Sequence, residues 1–432
     1  MRISRYMTAV VAASLCSASF AASPPEAIVL RAAHVFDGKT GELLSNAAVV
    51  VQGDKIVSVG SAATAPSNAR TIDLGDATLL PGFIDAHVHL TSEMHEDFFR
   101  GFHADMYRFS VEQSFYAALY AKRTLEAGFT TVRNLGASDF VDIGLRNAVN
   151  AHVAIGPRVV AAAHSVGSTG GHCDHGPFPP DRIEPVGPMQ GVCNGADECR
   201  AAVRYQLKWG ADVIKICASG GVLSETDPVD VPQLTPEELR AIVSEAHAWK
   251  RKVAAHSHGD VAARLAVEAG VDSIEHASFL TDETLKLMKA KGTYLVPTRL
   301  AVYWVNKMAA GFPPPIAEKS RAAWAGHEKM MKSALRIGVP IAFGTDSGVS
   351  PHGMNGKEFA LLAEIGMPPS AALLSATRDA AKLLGIDAIT GTLEPGKSAD
   401  IVAVKGNVLN DIAATERPIF VMKQGEVVVE SR

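Results

Sequence analysis

The sequence has little fixed charge, and none of it is concentrated. Charged residues make up 20% of the 432 positions, and 41 basic against 46 acidic side chains leave a net charge of −5. No run of lysine and arginine stands out, which excludes the electrostatic footprint of a nucleic-acid partner. Cysteine is scarce as well: there are five, and none has zinc-finger spacing. The apolar, alanine-rich stretch at 7–15 is far short of the roughly 20 residues that span a bilayer. What is abundant is apolar side chain, 47% of the total, the composition of a globular chain rather than a disordered one. This length is enough for one large barrel plus a smaller domain.

The stretch at 7–15 follows Arg2 and Arg5 and precedes Ser19-Phe20-Ala21, a small-x-small site. That order reads as a secretory signal peptide over 1–22. It implies a secreted or periplasmic protein with no membrane attachment after cleavage. Leu15 stands before Cys16 where a lipidated cysteine follows a small residue, which argues against a lipoprotein. Cleavage leaves Cys173, Cys193, Cys199 and Cys217 in a compartment that permits disulfides. The first three sit in or beside a Gly/Pro-rich loop, so one pair is expected among them. Cys217, in an apolar run, reads as a core thiol.

Residues 23–80 carry short β-rich runs at 27–32, 47–51 and 55–59, and the tail at 386–432 repeats the character at 400–404, 418–422 and 426–430. The two ends are expected to join in one small β-sandwich domain. Between them, over 81–385, apolar runs at 130–133, 158–162, 213–217, 252–256, 273–276, 294–297 and 340–345 alternate with helical patterns. About eight such units imply an α/β fold with a closed (β/α)8 TIM barrel. One long loop, roughly 165–195, is rich in Gly, Pro, His and Cys. A structureless insertion of that length is usually functional, and it is expected to cover the active site.

The sharpest signal is Phe83-Ile84-Asp85-Ala86-His87-Val88-His89, an apolar strand ending in His-x-His. Strand residues two apart face one side, so both imidazoles enter one space, an arrangement that suits zinc. Lys215 lies in Val213-Ile214-Lys215-Ile216-Cys217, a buried strand where an ammonium must be matched or removed. Carboxylation by carbon dioxide and pairing with an acidic neighbour are the two solutions. His256 ends 252–256 and His276 ends 273–276, both apolar strands, with a helical pattern between them. Active sites of such barrels collect at strand C-termini, so the pair reads as ligands. Asp346 follows the strand 341–345 and reads as a metal ligand and proton carrier rather than a helix cap.

Taken together, these positions resemble the amidohydrolase superfamily in its binuclear, carboxylated-lysine subtype. The likeness includes Pro81-Gly82-Phe83-Ile84-Asp85 at the strand entry and the closing 391–401, Gly-Thr-Leu-Glu-Pro-Gly-Lys-Ser-Ala-Asp-Ile. Thr169-Gly170-Gly171-His172 and Ser219-Gly220-Gly221-Val222 point to the branch of Xaa-Pro and related dipeptidases and ochratoxin-degrading amidohydrolases. The resemblance implies two zinc ions per chain. His87, His89 and Asp346 would bind one and His256 and His276 the other, with carboxylated Lys215 and a hydroxide bridging them. It further implies Asp346 as general base and then general acid, and His172 and Tyr303 as catalytic groups on the substrate. His164, Gly220, Gly221, Val222, Tyr303 and His258 would line the substrate. His258 is either a supporting residue or a spare one. Arg299 pairs with a substrate carboxylate or with an acid of the barrel wall. Val222, Leu223 and Trp304 would suit an aromatic group.

The implied reaction is hydrolysis of an amide bond to a C-terminal amino acid, in a dipeptide, an N-acyl amino acid or ochratoxin A. A lactonase or cyclic amidase would use the same centre. A ring deaminase would hold one metal and lack the bridging lysine, and a metal-free assembly protein would have lost ligands. By analogy the protein is a homo-oligomer, frequently an octamer among relatives.

Overall fold

The structure, a computed structural model, describes residues 26–61, 63–174, 181–182 and 184–431. The expected signal peptide at 1–22 and part of the loop at 165–195 lie outside the described residues.

Five strands open the described chain: β1 (Ala27–Phe36), β2 (Leu43–Gln52), β3 (Lys55–Gly60), β4 (Arg70–Asp73) and β5 (Ala77–Pro81). Seven follow in the middle: β6 (Phe83–Val88), β7 (Phe129–Asn134), β8 (Arg158–Ala161), β9 (Val213–Cys217), β10 (Lys252–Ser257), β11 (Ser273–His276) and β12 (Tyr294–Val296). Three close it: β13 (Ile401–Lys405), β14 (Phe420–Lys423) and β15 (Glu426–Glu430).

The two chain ends meet as expected, but as one mixed sheet in the order β15-β14-β13-β5-β1-β2-β3, with β4 paired to β1. Hydrogen bonding runs through β5 without a break, where the sequence suggested two stacked layers. All five residues of β5 are buried. The strand pairs parallel to β1 on one side and antiparallel to β13 on the other, with Pro81 opposite Ile401 and Ala77 opposite Lys405. Leu30, Val49, Ile56, Leu79, Ile401 and Phe420 form the core of this sheet.

The middle strands form two parallel sheets, β6-β7-β8 and β12-β11-β10-β9. Every residue of β6, β7, β9 and β11 is buried, as strands covered on both faces require. Single parallel bridges extend the pairing at Val166–Ile216, Leu295–Ile341 and Val88–Ser347. Helices pack outside. The helix Pro236–Ala248 shows why they form: Thr235 and Glu238 cap its start reciprocally, each side chain accepting from the other's backbone N–H. Its Leu239, Ile242, Val243 and Ala246 then face inward at helical spacing. Below the strand ends, Phe83, Phe129, Phe343 and Phe359 form an aromatic core, with Phe343 and Phe359 4.4 Å apart. This packing sets the C-terminal ends of β6, β9, β10 and β11 and the segment 341–347 around one space.

Candidate active site

His87 and His89 leave the end of β6 on one side, and Asp346 is brought to them by backbone pairing, its N–H donating to His87 O at 2.7 Å. Asp346 adopts φ +58°, a left-handed conformation that costs about 1–3 kcal/mol in a non-glycine residue. Its neighbour holds it there. The buried Asp85 carboxylate accepts from Thr345 N at 3.0 Å, Thr345 Oγ1 at 2.6 Å and Asn355 Nδ2 at 2.8 Å. Burial lifts Asp85 to about 6, against the pull of those hydrogen bonds.

Asp346 Oδ1 lies 3.2 Å from His89 Nε2 and 3.5 Å from His87 Nε2. The three side chains can offer ligand atoms within 4.8 Å of one another. His87 Nε2 and Asp346 Oδ1 are buried and neither makes a hydrogen bond. A buried polar atom left without a partner costs about 1–3 kcal/mol, and a cation among these donors removes that cost. Two imidazoles and one carboxylate suit zinc.

The second pair stands alongside. The His256 and His276 rings are 4.6 Å apart, and His87 is 4.9 Å from His276. Each ring has one nitrogen engaged from behind: His87 Nδ1 by Glu275 Oε2 at 2.8 Å, His276 Nδ1 by Thr298 Oγ1 at 2.7 Å, and His256 Nε2 by Gly220 O at 3.2 Å. That fixes which nitrogen points inward. Burial holds all three well below the usual histidine range, in the neutral form that binds metal. Lys215 is only 3% exposed. Burial pulls its ammonium down to about 8, while Glu275 and Asp346 pull the other way.

Glu275 and the buried Arg133 escaped the sequence reading. Glu275 Oε1 accepts from Arg133 at 2.9 Å and from Ser273 Oγ at 2.5 Å, so both carboxylate oxygens are committed away from Lys215. A signal existed: each is a charged residue inside an apolar strand, the same anomaly that marked Lys215.

The cover contributes His172, whose ring is 4.4 Å from that of His256. Its Nδ1 meets Ser224 Oγ at 2.5 Å and its backbone N–H donates to Gln233 at 2.8 Å. Burial lowers this histidine to about 4. Gly221 makes room for it, since a Cβ there would lie 2.1 Å from His172 Cε1. Gly220 is likewise closed by Pro228 O, 2.1 Å from its would-be Cβ. At both positions glycine is required by the close approach of these neighbours. Cys193 and Cys199 are bonded, the pair expected within the loop. Cys217, expected as a core thiol, is instead bonded to Cys173. Val166 pairs with Ile216, which lays the loop across the end of β9.

A cavity of about 440 Å³ opens over these groups and includes His164, His258, Val222 and Leu223 in its wall. His258 stacks on His276 at 5.1 Å and 14°, with Nδ1 on Ser278 Oγ at 2.9 Å. Burial pushes it down to about 3. His164 presents a ring face only, because Nδ1 meets Gln206 Oε1 at 3.1 Å and Nε2 accepts from Asp139 N at 3.3 Å. Tyr303 stands off the cavity, which corrects its expected place on the substrate. Ala301, Val302 and Val305 form the lining face of the helix Arg299–Lys307. Tyr303 is about 200° around the helix from Ala301, against Trp324 and Lys357. Trp304 also lies off the lining, and Arg299 is buried with its guanidinium 3.7 Å over Trp324.

The profile of the Amidohydrolase family matches residues 78–428, from β5 through β14 and into β15. Ochratoxinase of Aspergillus niger is 32% identical over 396 residues, 88% of this chain and 81% of its own. Among solved structures, a Xaa-Pro dipeptidase with methionine bound in its active site superposes with a TM-score of 0.89 at 39% identity, over 93% of this chain and 99% of its own. A prolidase complexed with N-methylphosphonate-L-proline gives 0.86 at 32% identity, over 94% and 100%.

Proposed function

The chain belongs to the amidohydrolase family and is a hydrolytic enzyme, and from that premise we propose that it cleaves an amide bond to a C-terminal amino acid at a two-zinc centre. The substrate is a dipeptide, an N-acyl amino acid or ochratoxin A. The observation that carries this reading is the pair of orphaned buried atoms, His87 Nε2 and Asp346 Oδ1, facing His256 and His276 across Lys215. In the same reading the two parallel sheets and the segment 341–347 close as one (β/α)8 barrel, joined at the three single bridges. The protein is a homo-oligomer, secreted or periplasmic.

His87, His89 and Asp346 would hold one ion, His256 and His276 the other, and carboxylated Lys215 both. Carboxylation starts from the neutral amine: nitrogen bonds to the carbon of carbon dioxide and a proton leaves. The lowered proton affinity of Lys215 supplies that amine near neutral pH. When bound, the ions supply an activated water and polarise the scissile carbonyl.

Asp346 carries the proton. Burial pushes its carboxyl up, but His87 and His89 outweigh that and keep it below its ordinary value, ionised and able to accept. It takes the proton of the attacking water and delivers it to the leaving nitrogen, which departs poorly as an anion. In the tautomer that accepts the Ser224 hydroxyl proton at Nδ1, His172 carries its own proton on Nε2 and would donate it to the substrate oxygen. Val222, Leu223, Ala301, Val302, Val305 and Val349 form an apolar wall for a large side chain.

The test is metal analysis of the purified chain with a panel of dipeptides and N-acyl amino acids varied at the C-terminal residue. The expected result is two zinc ions per chain and turnover of carboxylate-bearing amides. Full activity without metal, or turnover of lactones alone, would overturn the reading.

A further inference from the structure

His172 is carried by no helix or strand. The segment 164–174 has only turns and single bridges, yet it must hold an imidazole in register with β10. Its side-chain and backbone anchors, Ser224 and Gln233, sit in a second irregular stretch, 218–233. That stretch is gathered in turn by Lys319, whose ammonium donates to Gly221 O at 2.8 Å, Asp227 O at 3.0 Å and Ser224 O. That second stretch is held to β10 through Ala218 N–H on His256 O and to the helix Pro314–Ile337 through Lys319, but its link to His172 consists of hydrogen bonds alone. At its start the segment is held to rigid elements by His164 on Gln206 of the helix Ala196–Lys208 and by the Val166–Ile216 bridge; at the His172 end, among the described residues, the covalent hold on a strand is the bond from Cys173 to Cys217. Cys217 is 2% exposed, ends β9 and follows Lys215 by two.

We propose that the Cys173–Cys217 disulfide is a positioning tether that holds His172 over the metal centre, so that full turnover requires the oxidised pair. The proposal rests on the amide-hydrolase reading for the role of His172, but not for the tether itself. Between its two pinned ends, residues 167–173 form a small closed lobe with His172 at the closing end. Gly167 is part of that closure, since a Cβ there would lie 2.8 Å from Cys173 Cβ. Both cysteines line the cavity, so a small reductant reaches them from the substrate side. The other disulfide, Cys193–Cys199, ties the turn before the helix Ala196–Lys208 to that helix; Cys193 N–H donates to Gly167 O at the start of the lobe, away from His172, so this bond serves as the control for the His172 end.

A trialkylphosphine is a suitable reductant. Phosphorus takes its oxygen from water, the S–S bond breaks, and the two water protons end on the two thiols. The zinc-loaded full-length chain is assayed oxidised, reduced and re-oxidised, with metal content measured each time. Reduction should lower kcat at least tenfold, a loss in line with a misplacement of about 1 Å, while KM changes less than threefold and metal content holds. Hydrogen exchange of 167–174 should accelerate, a readout that needs no substrate. Cys173→Ser/Cys217→Ser should match the reduced enzyme and ignore phosphine; Cys193→Ser/Cys199→Ser should keep the response. If the first double variant does not fold, the reduced and re-oxidised natural chain decides. Unchanged exchange or unchanged kcat after verified reduction overturns the tether, as does loss of metal on reduction. Full kcat in oxidised His172→Ala would instead remove the assigned role of His172, leaving the exchange result to judge the tether.

Discussion

His87 Nδ1 lies 2.8 Å from Glu275 Oε2, and both side chains are sealed from solvent. Arg133 and Ser273 hold the other carboxylate oxygen. A line of charge thus runs from Arg133 through Glu275 to His87, keeps the proton on Nδ1 and bares Nε2.

Glu275→Gln cuts that line. Loss of a carboxylate behind a ligating histidine weakens metal binding about 10–100-fold. It also leaves Arg133 buried beside a neutral partner, so the melting temperature should fall as well. Competition against a chromophoric chelator measures the affinity, and a value equal to that of the natural chain would show that Glu275 does not orient His87.

Lys215→Ala should reduce metal content and activity together. Added short carboxylates should restore part of both by filling the bridge. Unchanged turnover at native metal content would rule out the bridging role.

Gly221→Ala puts a methyl 2.1–2.6 Å from three atoms of the His172 ring. The ring must leave its place, and kcat should drop at least tenfold with metal content intact. Normal kinetics would mean that His172 does not act where it stands.

Acid stability has a definite sign. Burial first, then the Arg299 guanidinium, holds His327 at about 3, and its Nε2 donates to Pro297 O at 2.8 Å. Above its ordinary value of 6.5 the ring is neutral in both states, and its full contribution is present. Between there and about pH 3 only the unfolded chain binds the proton, so stability falls by about 1.4 kcal/mol per pH unit. Urea unfolding at pH 7.5, 6 and 5 should show that His327→Gln loses less than the natural chain by this slope. Equal slopes would mean that the ring titrates normally in the folded protein.

Much of the site was legible because its signals are local. His87, His89, His256, His276 and Asp346 each follow an apolar strand, and Lys215 interrupts one; a strand that must be buried announces every polar residue it carries. The ends of the chain were legible as β structure for the same reason. Tyr303 was not placed correctly, because the phase of the helix Arg299–Lys307 about its axis is decided by what packs behind it. Glu275 and Arg133 announce themselves as buried charges, yet nothing local says that they answer each other and His87.

What the chain determines by itself is the set of side chains delivered to the strand ends, since alternation along a strand and the burial of its flanks are properties of a few consecutive residues. Which thiol meets Cys217, which acid stands behind His87, and whether the two ends stack or merge into one sheet are decided only in three dimensions. Each is a distance between segments far apart in sequence, and no local pattern encodes it.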